Sequence, residues 1–241
     1  MEQSDMLGDL VETADGSLTL RHPGHAETYH SSAGAETEAR ELYVQRSGIT
    51  AAFDQGRKAS VLDVGLGLAY NATATFDAWV SHPGPGSLSI YSLEHNHDLI
   101  RVLVDGRARW TAGWSASRLA LISSLRQQES GWSAEYRHPT ADAVLIWKIL
   151  VGEAHDTLAL CPGGFDFVWQ DPFSPEKNPA MWSEAWFSML RKHCGDDAVL
   201  MSYSVARIVR DALAASGWDC ERIPTPVRQK KHWLRAKPRK T

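Results

Sequence analysis

Two short stretches of this chain combine residue types that can grip a small charged molecule. The first is Asp63-Val64-Gly65-Leu66-Gly67-Leu68-Ala69, placed between the apolar run Ser60–Val64 and residues that suit a helix. Glycine makes the tight turn and lets a ligand come close to the backbone. The helix start that follows offers free N–H groups to an anion such as a carboxylate, and Asp63 at the strand end can take an ammonium. That pairing suits the methionine end of S-adenosylmethionine. A dinucleotide site would more usually carry a third glycine where Tyr70 stands, and an isolated G-x-G also occurs in plain turns. The second stretch ends in Glu94, behind the apolar segment Leu88–Leu93. An acid there can hold both ribose hydroxyls of a nucleoside or simply cap the next helix; beside the glycine turn the nucleoside reading is favoured. Glu153, after the apolar run Ala143 to Val151, could accept from an adenine amino group.

A third stretch, Phe165-Asp166-Phe167-Val168-Trp169-Gln170-Asp171-Pro172-Phe173-Ser174-Pro175, carries chemistry of another kind. Asp171 falls at the end of an apolar strand, where ligands bind in open α/β sheets. Its Asp-Pro-aromatic order resembles the sites of amino-group methyltransferases. A primary amine is mostly protonated at neutral pH and must lose a proton before it can attack a sulfonium methyl. A carboxylate and nearby carbonyls can hold the neutral amine with its lone pair in line, and Phe173 can stack on a base. Asp171 could equally cap the turn that Pro172 shapes; those three residues alone leave both readings open.

Positioning these residues requires alternating strands and helices. Residues 1–16 read as a loosely held start. Leu18–Leu20 and Thr28–Ser31 fit a hairpin around Pro23-Gly24, and Ala35–Gln45 a short helix stopped by Gly48. Helical segments are expected over 73–80, 99–104, 116–128, 181–193 and 205–215. Strands are expected at 60–64, 88–93, 143–151, 165–169, 198–203, 218–223 and 232–236. The alternation predicts an α/β fold with a mostly parallel, seven-stranded sheet. Residues 1–50 form an N-terminal hairpin and helix packed on a core of residues 51–241.

Charge is uneven along the chain. Net charge is −4, yet Arg222, Arg228, Lys230, Lys231, Arg235, Lys237, Arg239 and Lys240 crowd the end, and all 29 acidic residues lie before Arg222. An acidic body with a basic end suits a polyanion docking there, and His232 and Trp233 within the run suit RNA; a solubilising tail is the plainer alternative. Cys161, Cys194 and Cys220 lie far apart, which argues against a disulfide framework or a cysteine zinc site. His22, His25 and His30, like His95 and His97, match no metal spacing and read as packed or solvated side chains. No apolar run is long enough for a bilayer, and the acidic start Met1-Glu2-Gln3-Ser4-Asp5 lacks the pattern of a secretory signal. A cytoplasmic location is expected, with no membrane partner.

The run Asp171-Pro172-Phe173-Ser174-Pro175-Glu176-Lys177-Asn178-Pro179-Ala180-Met181-Trp182 resembles the D-G-F-x-P-x-K-N-P-x-M-W signature of the methyltransferase half of bifunctional MnmC-type tRNA modification enzymes. The glycine turn through Asn71 is similar to that family's E-x-G-F-G-x-G-L-N. Glu36-Thr37-Glu38-Ala39 resembles its early acidic helix, Tyr29-His30-Ser31 its Y-F-S hairpin, and Val227–His232 its G-R-K-R-E-M segment. The likeness runs over roughly residues 17–237. Pro172, Asp63 and Ala69 stand where the family has Gly, Glu and Gly, and 101–140 has no placed counterpart.

The resemblance implies a Rossmann-like class I methyltransferase fold with S-adenosyl-L-methionine as cofactor and no oxidase half. Asp63, Gly65, Gly67, Asn71, Glu94, Glu153 and Asp171 would bind the cofactor. Asp171 and Phe173 would act at the reacting amine, and Tyr29, Lys177, Asn178, Trp182, Arg228, Lys230 and Lys231 would contact the substrate or tRNA. The implied reaction converts 5-aminomethyl-(2-thio)uridine at the tRNA wobble position to its methylaminomethyl form. A methyltransferase acting on another amine, and a non-catalytic RNA-binding relic, are the alternatives.

Overall fold

The computed structural model describes residues 7–226 and 231–240. A small sheet of β1 (Asp9–Glu12) and β2 (Leu18–Arg21) leads into α1 (Ala35–Glu38), which continues as a π-helical segment, Ala39–Gln45, and then α2 (Ile49–Asp54). The core follows as β3 (Ala59–Val64), α3 (Tyr70–Val80), β4 (Leu88–Glu94), α4 (His97–Val104) and α5 (Ala116–Ser123). Next come β5 (Arg126–Gln128), β6 (Gly131–Arg137), β7 (Val144–Val151), α6 (Ala154–Leu158), β8 (Phe165–Gln170) and α7 (Glu184–His193). The chain closes with β9 (Cys194–Ser202), α8 (Arg207–Ala215), β10 (Trp218–Pro224) and β11 (His232–Pro238).

The large sheet has nine strands in the order β10-β11-β9-β8-β3-β4-β7-β6-β5. Its five central strands, β7, β4, β3, β8 and β9, pair in parallel. Both flanks are antiparallel. The seven expected strands are all present; the expectation of a seven-stranded, mostly parallel sheet is corrected by the added hairpin β5–β6. That hairpin lies where a helix was expected to run on to Gln128. Arg126, Gln127 and Gln128 are all exposed, so no alternation of polar and apolar residues announces the strand. A second correction concerns the N-terminus: β2 pairs in register with Asp9–Glu12 of the supposedly loose start, and meets Thr28 only in a single bridge from Arg21.

Strand alternation sends β3 side chains into two cores. Val61 joins Ile90, Phe76 and Trp79 on the α3 side, whereas Leu62 and Val64 join Trp186, Phe187 and Leu213 under α7 and α8. α3 is buried nearly all round, from Tyr70 to Phe76, as befits a helix enclosed by its neighbours. Side-chain caps fix the starts of three other helices: Asn96 accepts from the amides of Asp98 and Leu99, Ser115 from Arg118, and Ser183 from Trp186.

Arg118, inside the stretch without a placed counterpart, is a strut. The residue is 2 % exposed, and its guanidinium donates to both carboxylate oxygens of Glu36 (2.7 and 2.8 Å) and to Asp77 (2.7 Å). It therefore ties α5 to α1 and α3, and through them fixes the N-terminal layer over the sheet.

Candidate active site

After β3 the chain moves outward through β4 to β7, then returns to β8 on the other side of β3. The reversal opens a crevice at the carboxyl ends of these strands, the usual place for a ligand in an α/β sheet. The turn after β3 is tied down by Leu93, whose carbonyl accepts from the amides of Gly65 (3.2 Å) and Leu66 (3.0 Å). Gly65 has φ +84°, and a Cβ there would lie 3.0 Å from the Asp171 carbonyl oxygen. Gly67 has φ +53°. Ala69 also keeps a left-handed conformation, φ 67°, so the backbone that suits glycine persists without it.

A cavity of about 320 Å³ lies against this turn. Tyr29, Gly65, Gly67, Glu94, Glu153, Asp171, Phe173, Lys177 and Asn178 line it, bringing together most of the expected site residues. Glu94 is held at its wall: its carboxylate accepts from the amides of Gly67 (2.9 Å) and Asn96 (2.8 Å). Its remaining lone pairs leave room for ribose hydroxyls. The β3–β4–β7 ends thus offer a backbone cradle, a fixed carboxylate and, at Glu153, an exposed one. That donor set fits an aminoacyl nucleoside such as S-adenosyl-L-methionine, and the cavity lies in the size range of small-molecule pockets.

Asp171 is positioned from three sides. Its amide donates to the Val64 carbonyl (3.0 Å). Tyr43 donates to Oδ1 (2.7 Å) and Asn71 Nδ2 donates to Oδ2 (2.7 Å). Burial raises the Asp171 pKa well above the ordinary carboxylate range, and the nearby charge of Glu38 adds to the rise; the bonds from Tyr43 and Asn71 only partly oppose it. The loop beyond is braced. Tyr203 donates to the Pro172 carbonyl (2.9 Å), Trp182 Nε1 to the Phe173 carbonyl (2.8 Å), and Gln170 Nε2 to the Met181 carbonyl (2.6 Å).

Some expected residues stand elsewhere. Asp63 is fully buried and does not line the cavity. Ser92 donates to its Oδ2 (2.7 Å), its Oδ1 has no partner, and burial pushes its pKa up to about 7. Asn71 acts through Asp171 rather than at the cavity wall. Trp182 is 2 % exposed and braces the loop from beneath. Arg228 and Lys230 lie outside the described residues. Lys231 is exposed just before β11, and three other cations of the basic end are paired: Arg235 with Glu221 (2.6 Å), Arg239 with Asp219 (2.8 Å) and Lys240 with Asp197 (3.2 Å). Trp233, expected to suit RNA, is instead 0 % exposed in the core.

Residues the sequence did not single out also meet here. Tyr43, Glu38 and Tyr203 surround Asp171, and no motif marks them because they come from two regions, the continuous α1–π segment and the end of β9, far from Asp171 in the chain. His22 and His25, expected to be solvated or packed, stack on each other (4.3 Å) and meet Phe173 edge-on and tilted (5.1 and 4.7 Å), with Tyr29 4.9 Å from Phe173. These four rings form an aromatic rim. His30 is buried, bonded to Thr19 Oγ1 (3.2 Å), and burial lowers its pKa to about 4.

Comparison with known proteins agrees with this geometry. Residues 121–239 match the model of a family described as S-adenosyl-L-methionine-dependent methyltransferase. The chain is 29% identical over 220 residues to the tRNA 5-methylaminomethyl-2-thiouridine biosynthesis bifunctional protein MnmC of Aromatoleum aromaticum, a match covering 89% of this chain and 33% of that protein. The MnmC protein of Burkholderia multivorans is 27% identical over 215 residues, covering 85% and 31%. The chain thus spans about a third of the length of these curated relatives. The crystal structure of MnmC2 from Aquifex aeolicus superposes with a TM-score of 0.79 at 26% identity, covering 95% of this chain and 70% of that one. Spermidine synthase from Thermotoga maritima, at 9% identity and a TM-score of 0.52, shares the fold. The glycine cradle, the strand-end carboxylates and these likenesses together support an MnmC-type S-adenosyl-L-methionine-dependent methyltransferase domain.

Proposed function

We propose that this protein methylates the primary amine of 5-aminomethyl-(2-thio)uridine at the wobble position of tRNA, giving the methylaminomethyl nucleoside. The observation that carries the proposal is Asp171, a carboxylate fixed by Tyr43 and Asn71 at the end of β8, on the wall of the cavity formed by the glycine turn and Glu94. The names of the MnmC relatives support the choice of substrate.

In this reading the Gly65–Gly67 cradle, Glu94 and Glu153 hold the cofactor. S-adenosyl-L-methionine supplies a methyl group on an electrophilic sulfonium. Asp171 and the neighbouring backbone carbonyls orient the amine with its lone pair in line, and the rate gain comes mainly from that positioning and from exclusion of water. Phe173, Tyr29, His22 and His25 offer ring faces to the uracil base. Lys177, Asn178 and the exposed cations near β11, Lys231 among them, contact phosphates, so affinity falls as salt rises. A cytoplasmic location follows from a tRNA substrate. Among the described residues no helix is long and apolar enough to cross a membrane.

The test is methyl transfer from labelled S-adenosyl-L-methionine to tRNA carrying 5-aminomethyluridine, with nucleoside analysis of the product. Label in the methylaminomethyl nucleoside is expected. Label absent from tRNA but transferred to a free amine would reassign the substrate to small molecules.

A further inference from the structure

A second cavity, of about 490 Å³, abuts the first; the two share Tyr29, His30, Asp171, Pro172 and Phe173 as a common wall. The glycine turn, Glu94 and Glu153 belong to the first cavity alone, whereas Glu27, Glu38 and Tyr203 belong to the second alone. A reacting amine must meet the cofactor at a boundary of this sort, with its own chamber behind it. Glu38 is 7 % exposed at the end of α1, where the chain changes to π-helical winding. The Arg46 amide donates to the carbonyl of Glu41 (3.1 Å), five residues back. In an α-helix residue i+5 lies about 140° around the axis from residue i; π winding returns it to nearly the same face. Glu38 and Tyr43 are so related, and Tyr43 is the donor to Asp171 Oδ1. The winding thus aims a second carboxylate at the cavity that Asp171 faces from the opposite element.

We propose that the second cavity is the amine chamber and that Glu38 is the carboxylate that accepts the proton of the substrate's ammonium, while Asp171 holds the neutral amine toward the first cavity. The inference rests on the methyltransferase reading above and adds to it the substrate's binding chamber and its proton acceptor. In the step, an N–H bond of the ammonium breaks, an O–H bond forms on Glu38, and the electron pair stays on nitrogen as the nucleophile. No further reactant is required. The electrostatics agree: the charge of Glu38 reaches Asp171, Tyr43 and Tyr203 and raises all three pKa values after burial has done so, as expected for acids gathered close together. The titratable and charged groups facing Glu38 are Tyr43 from its own helix, Arg21 from β2, Glu27, Tyr29 and His30 from the loop after β2, Asp171 after β8 and Tyr203 after β9. His30 is neutral at pH 7, so Arg21 at the exposed rim is the cation among them.

The experiment compares the wild-type full chain with Glu38→Gln and Glu38→Asp on tRNA carrying 5-aminomethyluridine, from pH 6.5 to 9.5, with cofactor binding by calorimetry as a check on folding. Glu38→Gln is expected to bind cofactor normally and to lose about 100-fold or more in kcat/KM at pH 7. Its deficit should shrink as pH rises, because the free amine becomes available from solution toward its ordinary pKa of about 10. Glu38→Asp should recover part of the loss. A Glu38→Gln variant with wild-type activity overturns the assignment, and so does a deficit that is the same at every pH, which marks a structural role. Wild-type protein inert toward this tRNA overturns the tRNA-substrate reading and the chamber with it; active wild type beside an unaffected variant sinks Glu38 alone.

Discussion

The crevice at the strand ends and the basic end of the chain make an instructive pair. Both stand out in the sequence, one by motif and one by charge. In the crevice, residues far apart in the chain converge: Gly65, Glu94 and Asp171 come from three strands and share one cavity. At the basic end part of the charge is spent within the fold. Arg235, Arg239 and Lys240 pair with acids, and β11 lies between β10 and β9 inside the sheet. A motif specifies geometry, whereas a charge count says nothing of where its counter-charges lie. Removing residues 228–241 would therefore take out an interior strand and test folding rather than RNA contact.

The largest effect expected at the basic end is one of stability. Trp233→Ala should cost about 3–5 kcal/mol by opening the core, seen as a lower midpoint in urea. A variant that folds normally but binds tRNA poorly would show that Trp233 serves RNA after all. In the crevice, Glu94→Ala should weaken cofactor binding by roughly 1.5–3 kcal/mol, the usual worth of hydrogen bonds to a charged group, measured by calorimetry; unchanged affinity would remove Glu94 from the site. The smallest effect belongs to surface charge. Lys231→Glu and Lys237→Glu should leave cofactor binding intact and make the salt dependence of tRNA binding shallower, by about one in slope for each phosphate that is no longer neutralised. An unchanged slope would leave the basic end without a role in docking.

Much of this was legible in the sequence, for reasons that differ by region. The seven core strands and the helices between them announce themselves by apolar runs and alternation, and the Asp171–Trp182 run carries enough of a signature to point to the MnmC-type resemblance. The sheet's two extra strands were hidden because β5 exposes every side chain. β1 was hidden because four residues set no period. Tyr43 and Glu38 escaped notice because their importance comes from π winding and from proximity to a loop well over a hundred residues away. Trp182 and Asn71 illustrate the reverse: a motif identifies them, but their side chains work by bracing Phe173 and Asp171.

The central claim is that Asp171 serves the reacting amine at the boundary between a cofactor cavity and a substrate cavity. The most direct test pairs calorimetry of S-adenosyl-L-methionine binding with methyl transfer to 5-aminomethyluridine tRNA in Asp171→Ala. We expect binding close to that of the wild type and a loss of turnover on the order of 10³-fold, within the range ascribed to a positioned acid–base group. Near-normal turnover, or loss of cofactor binding in parallel with turnover, would contradict that role.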